Sequence, residues 1–291
     1  MGNARDGWCR GMSVGIIGGR RRVWHCGQMA GRSPYISMIL TLGVWCGLFG
    51  LLLIGHGRGV EVSPRLGFTL AFVGVSAAVV TAVLATAATE ASPRAIFVGL
   101  GVGLTALIWG GRWAPTSAAS ALAVGAGMLL VSARIGVAIG GRVTLARYVW
   151  PLVIVAVGAD LWSVTAPSGL TRQAIVDAPP SDGISVFLLT VPVPGGGLDG
   201  ILGLGDIIFS GFLLGLAHRC GLSLRRAVFG LALGLAACLL FLLLLALPAP
   251  ALVFIGPAFA LALGSAVKPQ PNEVAQGLVF VGLIWAIGAL L

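Results

Sequence analysis

The chain has 291 residues, of which 58% are hydrophobic and only 9% charged, and its mean hydropathy is +1.03. A soluble domain carries roughly a quarter charged residues, so these figures exclude an ordinary globular protein and point to a polytopic membrane protein. The formal charge of +9 does not indicate nucleic-acid binding: the 18 basic residues are scattered between apolar runs, where they act as topology signals.

Residues 1–34 are rich in glycine and arginine (Arg20, Arg21, Arg22, Arg32) and hold no apolar run long enough to span. They are expected to form a basic, disordered cytoplasmic leader rather than a signal peptide. An over-extended start is the alternative, since Met12, Met29 and Met38 all offer later starts.

Nine apolar segments follow, at about 36–55, 66–88, 95–110, 115–140, 146–166, 200–217, 226–247, 250–267 and 274–291. Turn and charge residues punctuate them, as at Ser63-Pro64-Arg65, Ser92-Pro93-Arg94, Gly110-Gly111-Arg112, Arg225-Arg226 and Lys268-Pro269. The fold class expected is therefore all-α, a polytopic transmembrane bundle of about nine helices. With the leader inside, the inner loops hold Arg94, Arg142, Arg147, Arg219, Arg225, Arg226 and Lys268, against Arg58, Arg65, Arg112 and Arg172 outside. Cytoplasmic loops retain Lys and Arg, so this orientation is favoured. The Asp160 helix then runs outward and the Asp206 helix inward.

Small residues fill the early spans, and the glycines of Gly99-Leu-Gly-Val-Gly103 are read as packing faces inside the bundle. The five cysteines form no CxxC pair, and His25, His56 and His218 stand apart, so neither a disulfide framework nor a metal site is expected. No GxGxxG follows a strand, which removes the sequence basis for nucleotide binding. The longest connection, about 167–199, contains the β-branched run Ile184-Ser-Val-Phe-Leu-Leu-Thr-Val191, a strand candidate in what is otherwise a surface loop.

Two acids stand alone in apolar segments: Asp160 in Val153-Ile-Val-Ala-Val-Gly-Ala-Asp160, and Asp206 in Ile201-Leu-Gly-Leu-Gly-Asp206. A carboxylate at bilayer depth is costly, which marks such residues as functional. If they face each other they share a proton and titrate as a pair. One then activates a water as a general base while the other, protonated, polarises a peptide carbonyl. Gly203 and Gly205, lacking Cβ, suit close backbone approach beside Asp206. The same acids equally suit a proton relay or ion site, and on the residues alone a transporter or channel is the commoner use of such a pair. A third use is simply to hold helices together.

Gly203-Leu-Gly-Asp206 resembles the GxGD motif of the intramembrane aspartyl proteases, the presenilin and signal peptide peptidase family. Prepilin peptidases also carry a bare GxGD, so three further features carry the resemblance. The longer run Gly203-Leu-Gly-Asp-Ile-Ile-Phe-Ser210 is similar to the family's extended helix. Pro250-Ala-Leu252 matches its PAL motif, within Pro250-Ala-Leu-Val-Phe-Ile-Gly-Pro257. The order also fits: first acid, variable loop, GxGD helix, one intervening helix, then PAL. The resemblance covers about 146–267.

It implies a presenilin-like bundle and an aspartic-type endopeptidase without cofactor or metal. Asp160 and Asp206 are then the catalytic pair, and Gly203, Gly205, Pro250, Ala251 and Leu252 position the acids or substrate. Residues 184–191 become the candidate strand for pairing with an unwound substrate. Implied partners are transmembrane-helix or signal-peptide substrates and the lipid bilayer, with no nucleic acid. The implied organisation is a leader (1–34), N-terminal helices (35–140), catalytic helices (141–267) and a C-terminal apolar helix (268–291). The expected location is multi-pass integral membrane, in the plasma membrane of a prokaryote. The chain departs from the family in three ways: Ala159 stands where the family has tyrosine, four spans precede the Asp160 helix rather than five, and an apolar segment follows PAL. Ala159 keeps a non-catalytic relative as an alternative, beside a proton-coupled transporter.

Overall fold

A computed structural model of the chain describes residues 35–57, 62–88, 93–112, 117–167, 169, 172, 188–245 and 249–290. The leader 1–34 and the first four residues of the strand candidate, 184–187, lie outside the described residues. Nine α-helices are found among those described, one for each apolar segment: α1 (Tyr35–Gly57), α2 (Pro64–Ala88), α3 (Pro93–Arg112), α4 (Ala118–Gly140) and α5 (Val149–Thr165). After a β-hairpin follow α6 (Leu204–Arg219), α7 (Leu224–Leu245), α8 (Leu252–Leu263) and α9 (Pro271–Leu290). Hydrocarbon offers the backbone no hydrogen bonds, so apolar segments must satisfy their own amides as helices. Proline opens α2, α3 and α9, where its missing N–H costs nothing. Five helices are long and apolar enough to cross a bilayer. The protein is an all-α integral membrane bundle.

Because lipid tails are as apolar as leucine, helix association here relies on close packing at small residues. The α4–α6 interface shows this. A Cβ on Gly136 would meet Ile208 and Phe212 backbone, one on Gly140 would meet Phe212 and Leu216, and one on Gly215 would enter Val137. The pairing advances in the same direction on both helices, so α4 and α6 run parallel with their backbones in contact. In the same way α5 and α9 run parallel, with Gly277 against Ile154, Gly158 against Val281 and Gly288 against Trp162. Trp285 Nε1 donates to the Gly158 carbonyl at 3.1 Å, and Arg147 pairs with Glu273 at 3.2 Å near the start of α9. The N-terminal helices and the acidic helices therefore share one interior, which includes Trp45, Phe72, Met128, Leu213, Ile255 and Phe259.

Two boundaries differ from the sequence reading. The segment beginning near 200 does not start as a helix: Leu198–Gly203 is strand β2, antiparallel to β1 (Leu188–Pro192). Leu189 pairs with Leu202 and Thr190 with Gly200, so Ile201 is an extra residue that bends the ribbon. The turn closes through Val193 N–H to Gly197 C=O at 2.9 Å, and Gly195 holds φ 75° there, a conformation side chains disfavour. Pro194 seats the turn against Gly55 and Gly67, at the end of α1 and the start of α2. The segment beginning at 250 also starts late, because Pro250 and Ala251 precede α8, which is only 12 residues long. At 1.5 Å per residue that is about 18 Å, short of a full crossing.

Candidate active site

Asp206 lies in the first turn of α6, just after the hairpin. Its Oδ2 accepts a 3.1 Å hydrogen bond from the Gly203 N–H. This is the carboxylate half of a capping box, the other half being absent because glycine has no side chain. The link fixes where β2 ends and α6 begins. Asp160 is carried by α5, well inside the helix. Its Oδ2 accepts a 2.9 Å hydrogen bond from the Leu252 N–H, 92 positions away. Leu252 is the first residue of α8, so its amide has no partner within the helix.

Each acid thus sits at a helix N-terminus, where orphan amides and the macrodipole favour negative charge. That compensates part of the cost of placing carboxylates among apolar helices. Each uses Oδ2 for this bond, and Oδ1 has no hydrogen-bond partner among the described residues. The two carboxyls lie close enough for Asp206 to sense the charge of Asp160. Both residues are partly exposed.

The remaining sequence candidates fall around this pair. Gly203 contributes its N–H, and a Cβ there would stand 3.2 Å from Asp206 Oδ2. Gly205 is exposed, with nothing within 4 Å of where a Cβ would stand. The close approach expected at Gly205 is therefore not made by any described part of the protein, and the space beside it is open. Pro250 and Ala251 lead into α8, Ala251 as its N-cap, their carbonyls accepting from Val253 at 3.2 Å and from Ile255 at 3.0 Å. The PAL stretch reaches Asp160 through a backbone amide rather than a side chain. Of the strand candidate, Leu188–Val191 is strand, paired with the residues that lead into Asp206.

Two residues near the acids were not singled out from sequence. Cys238 of α7 is buried and within electrostatic reach of both carboxyls. In sequence it is one cysteine in a leucine-rich run, with no signal to separate it. Ser210 follows Asp206 by one helical turn on α6, is 2% exposed, and its Oγ has no hydrogen-bond partner among the described residues. The i, i+4 spacing from Asp206 was the available sign.

The arrangement brings together two carboxyls, from different helices, each with one oxygen tied to backbone and one available. Two carboxyls at hydrogen-bonding separation can hold a single proton and both donate to and accept from a third group. Compared with protein-family models, with curated proteins and with solved structures, the chain matches none.

Proposed function

We propose that the protein is an intramembrane aspartyl endopeptidase of presenilin-like type, hydrolysing peptide bonds within transmembrane or signal-peptide helices. The observation that carries this function is the meeting of three separated motifs. Asp160, the GxGD helix start and the PAL helix start converge, with Leu252 N–H on Asp160 and the two acids in mutual range. In the proposed reaction one carboxylate takes a proton from a bound water. The water oxygen adds to the scissile carbonyl carbon, while the other, protonated carboxyl hydrogen-bonds the carbonyl oxygen. Collapse of the tetrahedral intermediate breaks the C–N bond as the leaving amine takes the proton that the first carboxylate removed from the water, which restores the pair to its starting state.

A helical substrate must unwind before a carboxyl reaches its backbone, and its freed amides then need partners. The β1–β2 hairpin running directly into Asp206 suits that need, because an extended peptide can add to a strand edge. The open space at Gly205 suits the approach of foreign backbone. The proposed location is the plasma membrane of a prokaryote.

The test is cleavage of a panel of transmembrane peptides by purified protein in lipid, beside Asp160→Asn and Asp206→Asn. Cuts within the helix by the wild type, and none by either variant, support the protease. Cuts by both variants at the wild-type rate overturn the dyad. Proton-dependent solute uptake into vesicles, lost in the same variants and without peptide cleavage, would instead identify a transporter.

A further inference from the structure

The proposed reaction leaves one buried hydroxyl beside the acids unused. Ser210 lies on α6 one turn beyond Asp206, is 2% exposed, and its Oγ has no hydrogen-bond partner among the described residues. A hydroxyl inside a helix can turn back onto the carbonyl four residues earlier. Thr41, Thr86, Thr105 and Thr165 all do so here, at 2.7–2.8 Å. Ser210 makes no such bond to the Asp206 carbonyl, and a buried hydroxyl without a partner is costly.

Helix geometry points to its partner. Ile208, Gly211, Phe212 and Gly215 carry the contact of α6 with α4. At 3.6 residues per turn, Asp206 and Ser210 share the opposite face, and away from α4 this helix packs on α2, α7 and α8. Cα–Cβ bonds in a helix tilt toward its N-terminus, so the Ser210 side chain leans toward the turn that holds Asp206. Side chains four apart are separated by about 5–6 Å at Cβ, a gap that a carboxyl and a rotating hydroxyl close between them. Ser76 and Ser132 also carry buried hydroxyls without a partner among the described residues, but neither α2 nor α4 contains an acid.

The two oxygens of Asp206 are not equivalent. Oδ2 accepts from the Gly203 N–H at 3.1 Å. An amide can only donate, which leaves Oδ1 as the oxygen that takes and gives up a proton. A hydroxyl does both, donating to a bare oxygen and accepting from a protonated one. We propose that Ser210 is a positioning residue for Asp206, its hydroxyl hydrogen-bonding Oδ1 in both protonation states and keeping that oxygen oriented as the proton comes and goes. The kinetic consequence rests on the proposed proteolysis; the hydrogen bond does not. Because Ser210 acts on the acid and not on substrate, its effect belongs in kcat rather than KM.

Two measurements on the full chain in lipid test this. Infrared spectra with isotope-labelled aspartate isolate the Asp206 carboxyl, as the difference between Asp160→Asn and Asp160→Asn/Asp206→Asn. Ser210→Ala should shift those carboxyl bands and Ser210→Thr should return them. Alanine removes a single atom and is the better helix former, so the variant folds. In cleavage of a transmembrane peptide, Ser210→Ala should lower kcat roughly ten-fold at constant KM, with recovery in Ser210→Thr. Unshifted bands in Ser210→Ala overturn the hydrogen bond, whether or not the protein is a protease. Shifted bands with unaltered kcat overturn the positioning role. A raised KM at constant kcat also overturns it and assigns the hydroxyl to substrate. Shifted bands with no cleavage by the wild type overturn the proteolysis and support the hydrogen bond.

Discussion

The amide of Leu252 donates a 2.9 Å hydrogen bond to Oδ2 of Asp160, joining the start of a short helix to an acid 92 residues earlier. It gives the Pro250-Ala-Leu252 stretch a physical role: a helix N-terminus delivered to a carboxylate within the bundle. The same device operates locally at Asp206, which caps its own helix through Gly203.

From this, asparagine and alanine at position 160 should behave differently. The asparagine carbonyl can still accept from Leu252, so Asp160→Asn should keep the wild-type thermal midpoint in detergent. Asp160→Ala leaves the part-buried Leu252 amide unpaired and should lose about 1–3 kcal/mol. Under the proposed proteolysis both should lose cleavage by roughly 10⁴-fold. Equal destabilisation by the two variants would show that the hydrogen bond contributes nothing.

The pair should also be visible in the pH dependence. In the proposed dyad two coupled carboxyls work with one proton between them, so under that proposal the cleavage rate should rise and fall with pH, the limbs reporting the ionisations of the pair. A single sigmoid across the acid range would point to one working acid.

The α4–α6 contact predicts a contrast between glycines. Gly136→Val forces a side chain into the backbone of Ile208 and Phe212 and should cost about 1–3 kcal/mol. Gly47 of α1 is exposed with nothing within 4 Å, so Gly47→Ala should be neutral or stabilising by up to about 1 kcal/mol. Unfolding in graded denaturing detergent distinguishes them.

Helix α9 is held to α5 beside the acid. Trp285→Phe keeps the ring but removes the donor to Gly158, two residues before Asp160. The loss should be about 1 kcal/mol, read as hydrogen exchange in α9 about five-fold faster than wild type. Unchanged exchange would mean that the glycine contacts with Ile154, Val281 and Trp162 alone hold α9 in place.

Much of the architecture was legible in the chain because a bilayer leaves few options. An apolar run about 20 residues long must become a helix, and proline and arginine mark its ends. Hence nine apolar segments correspond to nine described helices, and two lone acids stood out against them. The hairpin was only half legible. Leu188–Val191 has strand composition, but Leu198–Gly203 is glycine-rich and resembles the start of the helix after it. Only pairing with β1, which satisfies amides that would otherwise be unmet, makes it a strand.

Tertiary structure decided the rest. Sequence named Asp160, Asp206 and Pro250-Ala-Leu252 but could not say that Leu252 acts through its amide, since every residue carries one. It could not show that the Ser210 hydroxyl has no partner among the described residues, because that depends on which helices are neighbours. Nor could it say that Gly136 and Gly211 meet while Gly101 meets nothing within 4 Å. Hydropathy fixes how each segment meets the membrane. Which helix faces which is settled by contacts between residues far apart in the chain, and those contacts bring the two acids together.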